Sequence, residues 1–132
     1  MNRFLAALAL SLLFAACGTP ATAPPATAPP AGTGIQGIVT IGPTCPVERV
    51  NSPCPPRPIA VTVIVRNAIG SEVTRFRSGA DGRFKVALLP GQYVLLGQSP
   101  STASLPRPIP VSVTVTSGSY AVVTVEFDSG IR

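Results

Sequence analysis

Val111, Val113 and Val115 alternate with Ser112, Thr114 and Thr116, and this two-residue rhythm recurs through the chain from Ile35 onward. Ile59, Val61, Val63 and Val65 share one face against Ala60, Thr62, Ile64 and Arg66. Ala121, Val123, Val125 and Phe127 share another against Val122, Thr124 and Glu126. Successive side chains on a strand point to opposite faces, so the rhythm is that of strands with one face buried. No stretch repeats at the helical 3.6-residue period. Of the 98 residues from 35 to 132, 31 are Val, Ile or Thr, whose branched Cβ suits a pleated surface and loses χ1 freedom in a helix. Residues 35–41, 72–77, 83–88 and 92–98 read as further strands. Turn signals separate the runs: Asn67-Ala68-Ile69-Gly70, Gly79-Ala80-Asp81-Gly82, Pro90-Gly91 and Ser117-Gly118-Ser119. Seven short strands so spaced predict an all-β fold, a seven-strand antiparallel sandwich over residues 35–132.

The N-terminal quarter is different. Residues 1–34 hold one charged side chain, Arg3, and the other 14 lie in residues 35–132. Met1-Asn2-Arg3 is a short positive segment. Residues 4–14 are apolar apart from Ser11, too short for a bilayer span of about 20 residues but suited to the core of a signal peptide. The run ends Leu13-Phe14-Ala15-Ala16-Cys17. This resembles the bacterial lipobox, in which small residues precede a Cys that is diacylated and becomes the mature N-terminus; Phe14 stands where that family usually has Leu. The resemblance implies a signal peptide over residues 1–16, lipidation at Cys17 and a membrane contact through the lipid. With Gly18 rather than Asp next, it implies the outer membrane in a Gram-negative host. The rival reading is ordinary cleavage after Gly18, with Ala16 three residues back, which releases a soluble protein. Residues 17–34 follow as a tether. Ala-Thr-Ala-Pro-Pro occurs twice in tandem, at 21–25 and 26–30, and paired prolines favour polyproline II at about 3.1 Å per residue, a reach of roughly 50 Å.

Composition narrows the chemistry. With no His among 132 residues there is no imidazole base, His-assisted nucleophile or His metal ligand. Five acids leave little for a carboxylate pair or a calcium cage. A net charge of +5 on so few charged residues is not the dense basic surface of a nucleic-acid binder. No Gly-x-Ser-x-Gly elbow, P-loop or Gly-x-Gly-x-x-Gly occurs. The expectation is a non-enzymatic chain with no cofactor and no metal.

Gly37-Ile38-Val39, Asp81-Gly82-Arg83-Phe84 and Leu89-Pro90-Gly91-Gln92-Tyr93 carry a family resemblance. Over residues 35–127 the chain resembles the carboxypeptidase regulatory-like domains, also described as transthyretin-like or Cna-B-like sandwiches. The resemblance implies an accessory module without peptidase activity. The segments 42–47 and 127–132 also look like a set of small bacterial exported proteins. The motifs have scaffold roles of their own. Asp81-Gly82 supplies turn chemistry, Pro90-Gly91 fits the centre of a type II turn, and Tyr93 packs its ring inside while its hydroxyl meets a backbone partner.

Cys45 and Cys54 lie in a Pro-rich loop between the first two predicted strands. An exported chain sits in an oxidising compartment, and with Cys17 set aside two cysteines remain, so a disulfide is the default. Closing about ten residues contributes roughly 2.7 kcal/mol by loop entropy. Glu48, Arg49, Asn51 and Arg57 are the loop's polar members and candidates for a binding surface. Strand parity turns Phe76, Phe84, Val86 and Leu88 inward and Arg75, Arg77, Arg83 and Lys85 outward from what read as two adjacent strands. That row is either an anion-binding stripe or a charged solvent face that resists edge pairing. An isopeptide bond of the Cna-B kind is disfavoured, since the only Lys is Lys85, mid-chain and outward. These readings converge on a lipid-anchored binding or structural module of the bacterial envelope, displaying a disulfide-stapled loop and a basic strand face, with an unidentified envelope protein or anionic polymer as its partner. The alternatives are an accessory or inhibitory subunit of an exported enzyme, and binding of anionic glycan or lipopolysaccharide.

Overall fold

The computed structural model describes Gly18 and residues 22–132. The signal peptide over residues 1–16 and lipidation at Cys17 lie outside these residues. Residues 22–30 form neither helix nor strand. From Gly34 the alternation resolves into strands: β1 (Gly34–Gly42), β2 (Arg57–Pro58), β3 (Thr62–Asn67), β4 (Glu72–Arg77), β5 (Arg83–Ala87), β6 (Gly91–Gly97), β7 (Arg107–Ile109), β8 (Val111–Val115) and β9 (Tyr120–Asp128). All seven predicted strands are among them. β2 and β7 are additional. Each is two or three residues long and contains a proline, too little for a two-residue period to register.

The strands form two sheets, so the all-β sandwich expected from the sequence is present. In the first, β1 lies between β9 and the two short partners β5 and β2, and β7 flanks the far end of β9. The second runs β4-β3-β6-β8. One pairing departs from the wholly antiparallel expectation. β1 and β9 run parallel over nine positions, from Gly34↔Tyr120 to Gly42↔Asp128. A parallel pair needs a long crossover, and here nearly the whole domain serves as one.

The inward set of each strand fills the interlayer space. Ile35, Val39, Val63, Val65, Leu95, Val125 and Phe127 are almost wholly buried. Gly97 stands directly beneath the Phe127 ring, and a Cβ there would run into the ring carbons. The two sheets are also tied at their charged flank. Phe76 from β4 and Phe84 from β5 meet across the layers, ring centroids 4.8 Å apart. Between them the buried Ser78 hydroxyl donates to the Ile59 carbonyl (2.9 Å) and accepts from the Val61 N–H (3.0 Å).

Two turn expectations are met and one is corrected. Gly82 takes φ 73°, and the Asp81 carboxylate accepts from the Arg83 N–H at 3.0 Å. Tyr93 is buried and its hydroxyl donates to the Leu89 carbonyl at 2.8 Å. Pro90-Gly91, by contrast, is not a type II turn. Gly91 has φ 156°, far from the value near +80° that such a turn requires, and it already forms the first position of β6.

Candidate functional site

The course of β1 separates the domain into two ends about 30 Å apart at roughly 3.3 Å per residue. The near end receives the chain from the Pro-rich segment. It is closed by residues 67–71, 88–91 and 116–119. The far end holds the loop 43–56, the loop 98–106, the turn 78–82 and the C-terminal residues.

At the far end Cys45 and Cys54 form a disulfide, with Cα atoms 5.9 Å apart. The loop it closes is fastened at its base. The Thr44 hydroxyl donates to the Pro55 carbonyl (3.1 Å), the Ser129 hydroxyl to the Pro43 carbonyl (2.6 Å), and the Ser129 N–H to the Gly42 carbonyl (2.9 Å). Its tip is drawn together by the Ser52 N–H donating to the Arg49 carbonyl (2.9 Å). The tip displays apolar surface, with Val50 fully exposed and Val47 71% exposed.

Between this loop and the outer face of the first sheet lies a groove of about 450 Å3. Thr40, Glu126 and Asp128 line its floor, Ile109 one side, Glu48 the loop side, and Arg132 also reaches it. Three of the chain's five acids therefore meet at one place on a protein of net charge +5. Asp128 is the most constrained of them. Its carboxylate accepts from Arg132 at 2.8 and 3.1 Å, from the Gly130 N–H at 2.9 Å and from Arg107 at 3.4 Å. These donors, Arg132 foremost, hold it well below the usual carboxylate range, and the same pair raises Arg132. Asp128 thus gathers Arg107 and Arg132 at the groove floor. Glu48 and Glu126 take part in no ion pair among the described residues.

The four loop residues proposed from sequence separate. Glu48 faces the groove, Arg49 and Asn51 sit at the exposed tip, and Arg57 lies on β2 opposite Ile41. The groove's other members were missed. The parity of the last strand placed Glu126 on the outer face, and the same parity extends to Asp128. What parity does not show is that a disulfide-closed loop from the first half of the chain lines a groove with them.

The basic stripe is corrected. Among the described residues, Arg75 and Arg77 lie on β4, which pairs only with β3; Arg83 and Lys85 lie on β5, which pairs only with β1. The four cations therefore point outward from opposite sheets. The chain crosses between the layers through Ser78–Gly82, held by Ser78 and the Phe76–Phe84 contact, so sequence neighbours do not become sheet neighbours. Three of the four are also engaged. Arg75 makes two bonds to Glu72 (2.7 and 2.9 Å), which lower that carboxylate's pKa and raise its own. Arg83 is 3.8 Å from Asp81, and the Lys85 ammonium lies 4.3 Å above the Tyr120 ring.

Among the described residues no group of three or more Cys, Asp or Glu is disposed to hold a metal ion. No protein-family model matches the chain, and no curated protein matches it significantly.

Proposed function

We propose that the chain is a non-catalytic, lipid-anchored module of the bacterial envelope, built to hold its far end away from the membrane and present it to a protein partner. The observation that carries this reading is the polarity of the domain. The chain enters β1 at one end, and the disulfide-closed loop, its exposed valines and the acidic groove all stand at the other. A lipid at Cys17 and a Pro-rich spacer place that end outermost. The loop is closed by a disulfide before any partner arrives, which lowers the ordering cost of binding. Its tip combines apolar surface with polar groups, as a protein contact requires. The groove's spare carboxylates, Glu48 and Glu126, suit a cationic side chain of that partner. This favours a protein partner, an exported enzyme included, over an anionic glycan, because the cations are divided between opposite faces. The sandwich itself is consistent with the regulatory-like resemblance, in which the module assists a catalytic domain.

Replacing Cys17 tests the anchoring half. In a bacterium fed a labelled fatty acid, the native chain takes up label and fractionates with membranes. Cys17→Ser loses the label and appears in the soluble fraction. Labelled Cys17→Ser, or an unlabelled native chain, overturns the anchor.

A further inference from the structure

The strands at the borders of the two sheets differ in one respect that bears on association. An uncovered strand edge presents unpaired N–H and C=O groups, and proteins blunt such edges with charge, proline, brevity or a bulge. β4 carries Glu72, Arg75 and Arg77 and a register shift opposite Val65 and Arg66. β5 carries Arg83 and Lys85. β2 is two residues with Pro58, and β7 three residues around Pro108. β8 has none of these devices. It is five residues, Val-Ser-Val-Thr-Val, in unbroken register with β6, and β6 is its only strand partner among the described residues. The neighbouring edge of β9 is similar, because β7 covers only its last three positions. From Pro108 to Val125 the sequence contains no charged residue.

We infer that the chain associates with a second copy of itself through β8, pairing antiparallel about a two-fold axis at Val113. The segment is self-complementary in that arrangement. Val111 of one copy faces Val115 of the other, Ser112 faces Thr114, and Val113 faces its own counterpart. Val111 and Val113 point toward the core yet remain only half-buried, so they form a rim of the core that a second copy completes. Ser112 and Thr114 point to solvent and are exposed, which sets hydroxyl against hydroxyl across the axis. Two four-stranded sheets would join into one of eight, and the interface is isologous. The inference does not depend on what the far end binds.

The test exploits the register. In a two-fold pair, Ser112→Lys with Thr114→Lys sets lysine opposite lysine twice. Ser112→Lys with Thr114→Glu sets lysine opposite glutamate twice. Both positions are exposed, so both variants fold. Sedimentation velocity of the full chain in mild detergent, between roughly 1 μM and roughly 300 μM, reads the association. The native chain is expected to dimerise in this range, the double-lysine variant to be weakened by about tenfold, and the lysine–glutamate variant to recover native association to within about threefold. A native chain that stays monomeric, or two variants that behave alike, overturns the inference.

Discussion

The near and far ends of the domain are built on opposite plans. The near end is made of tight, self-satisfied turns. The Asn67 side-chain oxygen accepts from the N–H groups of Ile69 and Ser71, and Gly70 takes φ 84°. The fully buried Thr33 accepts from the Gly118 N–H at 2.8 Å and so binds the start of β1 to the β8–β9 turn. The far end has one such tight turn, at 78–82, and adds two long Pro-containing loops, of which 98–106 folds on local bonds of Ser99 and Ser101 while 43–56 is fastened at its base from farther along the chain. The loop 43–56 and the C-terminal residues take their order from a covalent bridge, side-chain bonds to distant residues, and the Arg107–Asp128–Arg132 cluster. Local turns fix a chain economically but leave little surface to vary. The stapled loop adds its groove beside a shallow cleft that the bare sheet face already carries between Arg83, Lys85, Val122 and Thr124. Binding surface belongs where that extra chain is used.

The contrast can be broken at several points. The largest effect is expected from Cys45→Ser with Cys54→Ser, which removes about 2.7 kcal/mol of loop-closure stabilisation. Denaturant unfolding measures the total. Hydrogen exchange should show lost protection at residues 43–56 and 129–131, with the near-end turns unchanged; equal loss at both ends would dissolve the distinction. Thr33→Val comes next. It leaves the Gly118 N–H without its acceptor, at a cost of about 1–2 kcal/mol, and the lost protection should now appear at residues 116–119.

The far end carries its own pH effect at Asp128, besides the Glu72 carboxyl that Arg75 lowers next to the near-end turn. The carboxyl of Asp128 titrates below the ordinary aspartate value of 3.8 when folded, so the unfolded chain binds its proton first. The stabilisation is complete above that ordinary value and is withdrawn as pH falls through it toward the lower folded value. The melting temperature of the native chain should therefore exceed that of Asp128→Asn at neutral pH, and the gap should narrow below about pH 4. A gap constant with pH would separate the ion cluster from stability. The smallest effect is that of Asn51→Ala at the loop tip, within about 0.5 kcal/mol of native, because the side chain is exposed.

Much of the framework is legible in the sequence because it rests on short-range rules. Alternation located seven strands, Asp81-Gly82 its turn, and Tyr93 its inward ring. What sequence reading missed depends on long-range placement. The outward parity of Arg75, Arg77, Arg83 and Lys85 holds, but parity says nothing about which sheet a strand joins, and the turn at Ser78 sends β4 and β5 to different ones. β2 and β7 escape because prolines mask their pairing. Glu126 and Asp128 look like ordinary solvent-facing residues, and no local signal links them to Glu48, almost eighty positions earlier, with which they line one groove.

The central claim is that the far end is the surface presented to a partner. Photo-crosslinking tests it most directly, with a photoreactive residue placed at Asn51 in one variant and at Ile69, in the near-end turn, in another. Both positions are exposed, so both variants keep the fold. In cells of the native host, the account predicts one discrete crosslinked protein from position 51 and none from position 69. A discrete product from position 69 alone, or identical products from both, would contradict it.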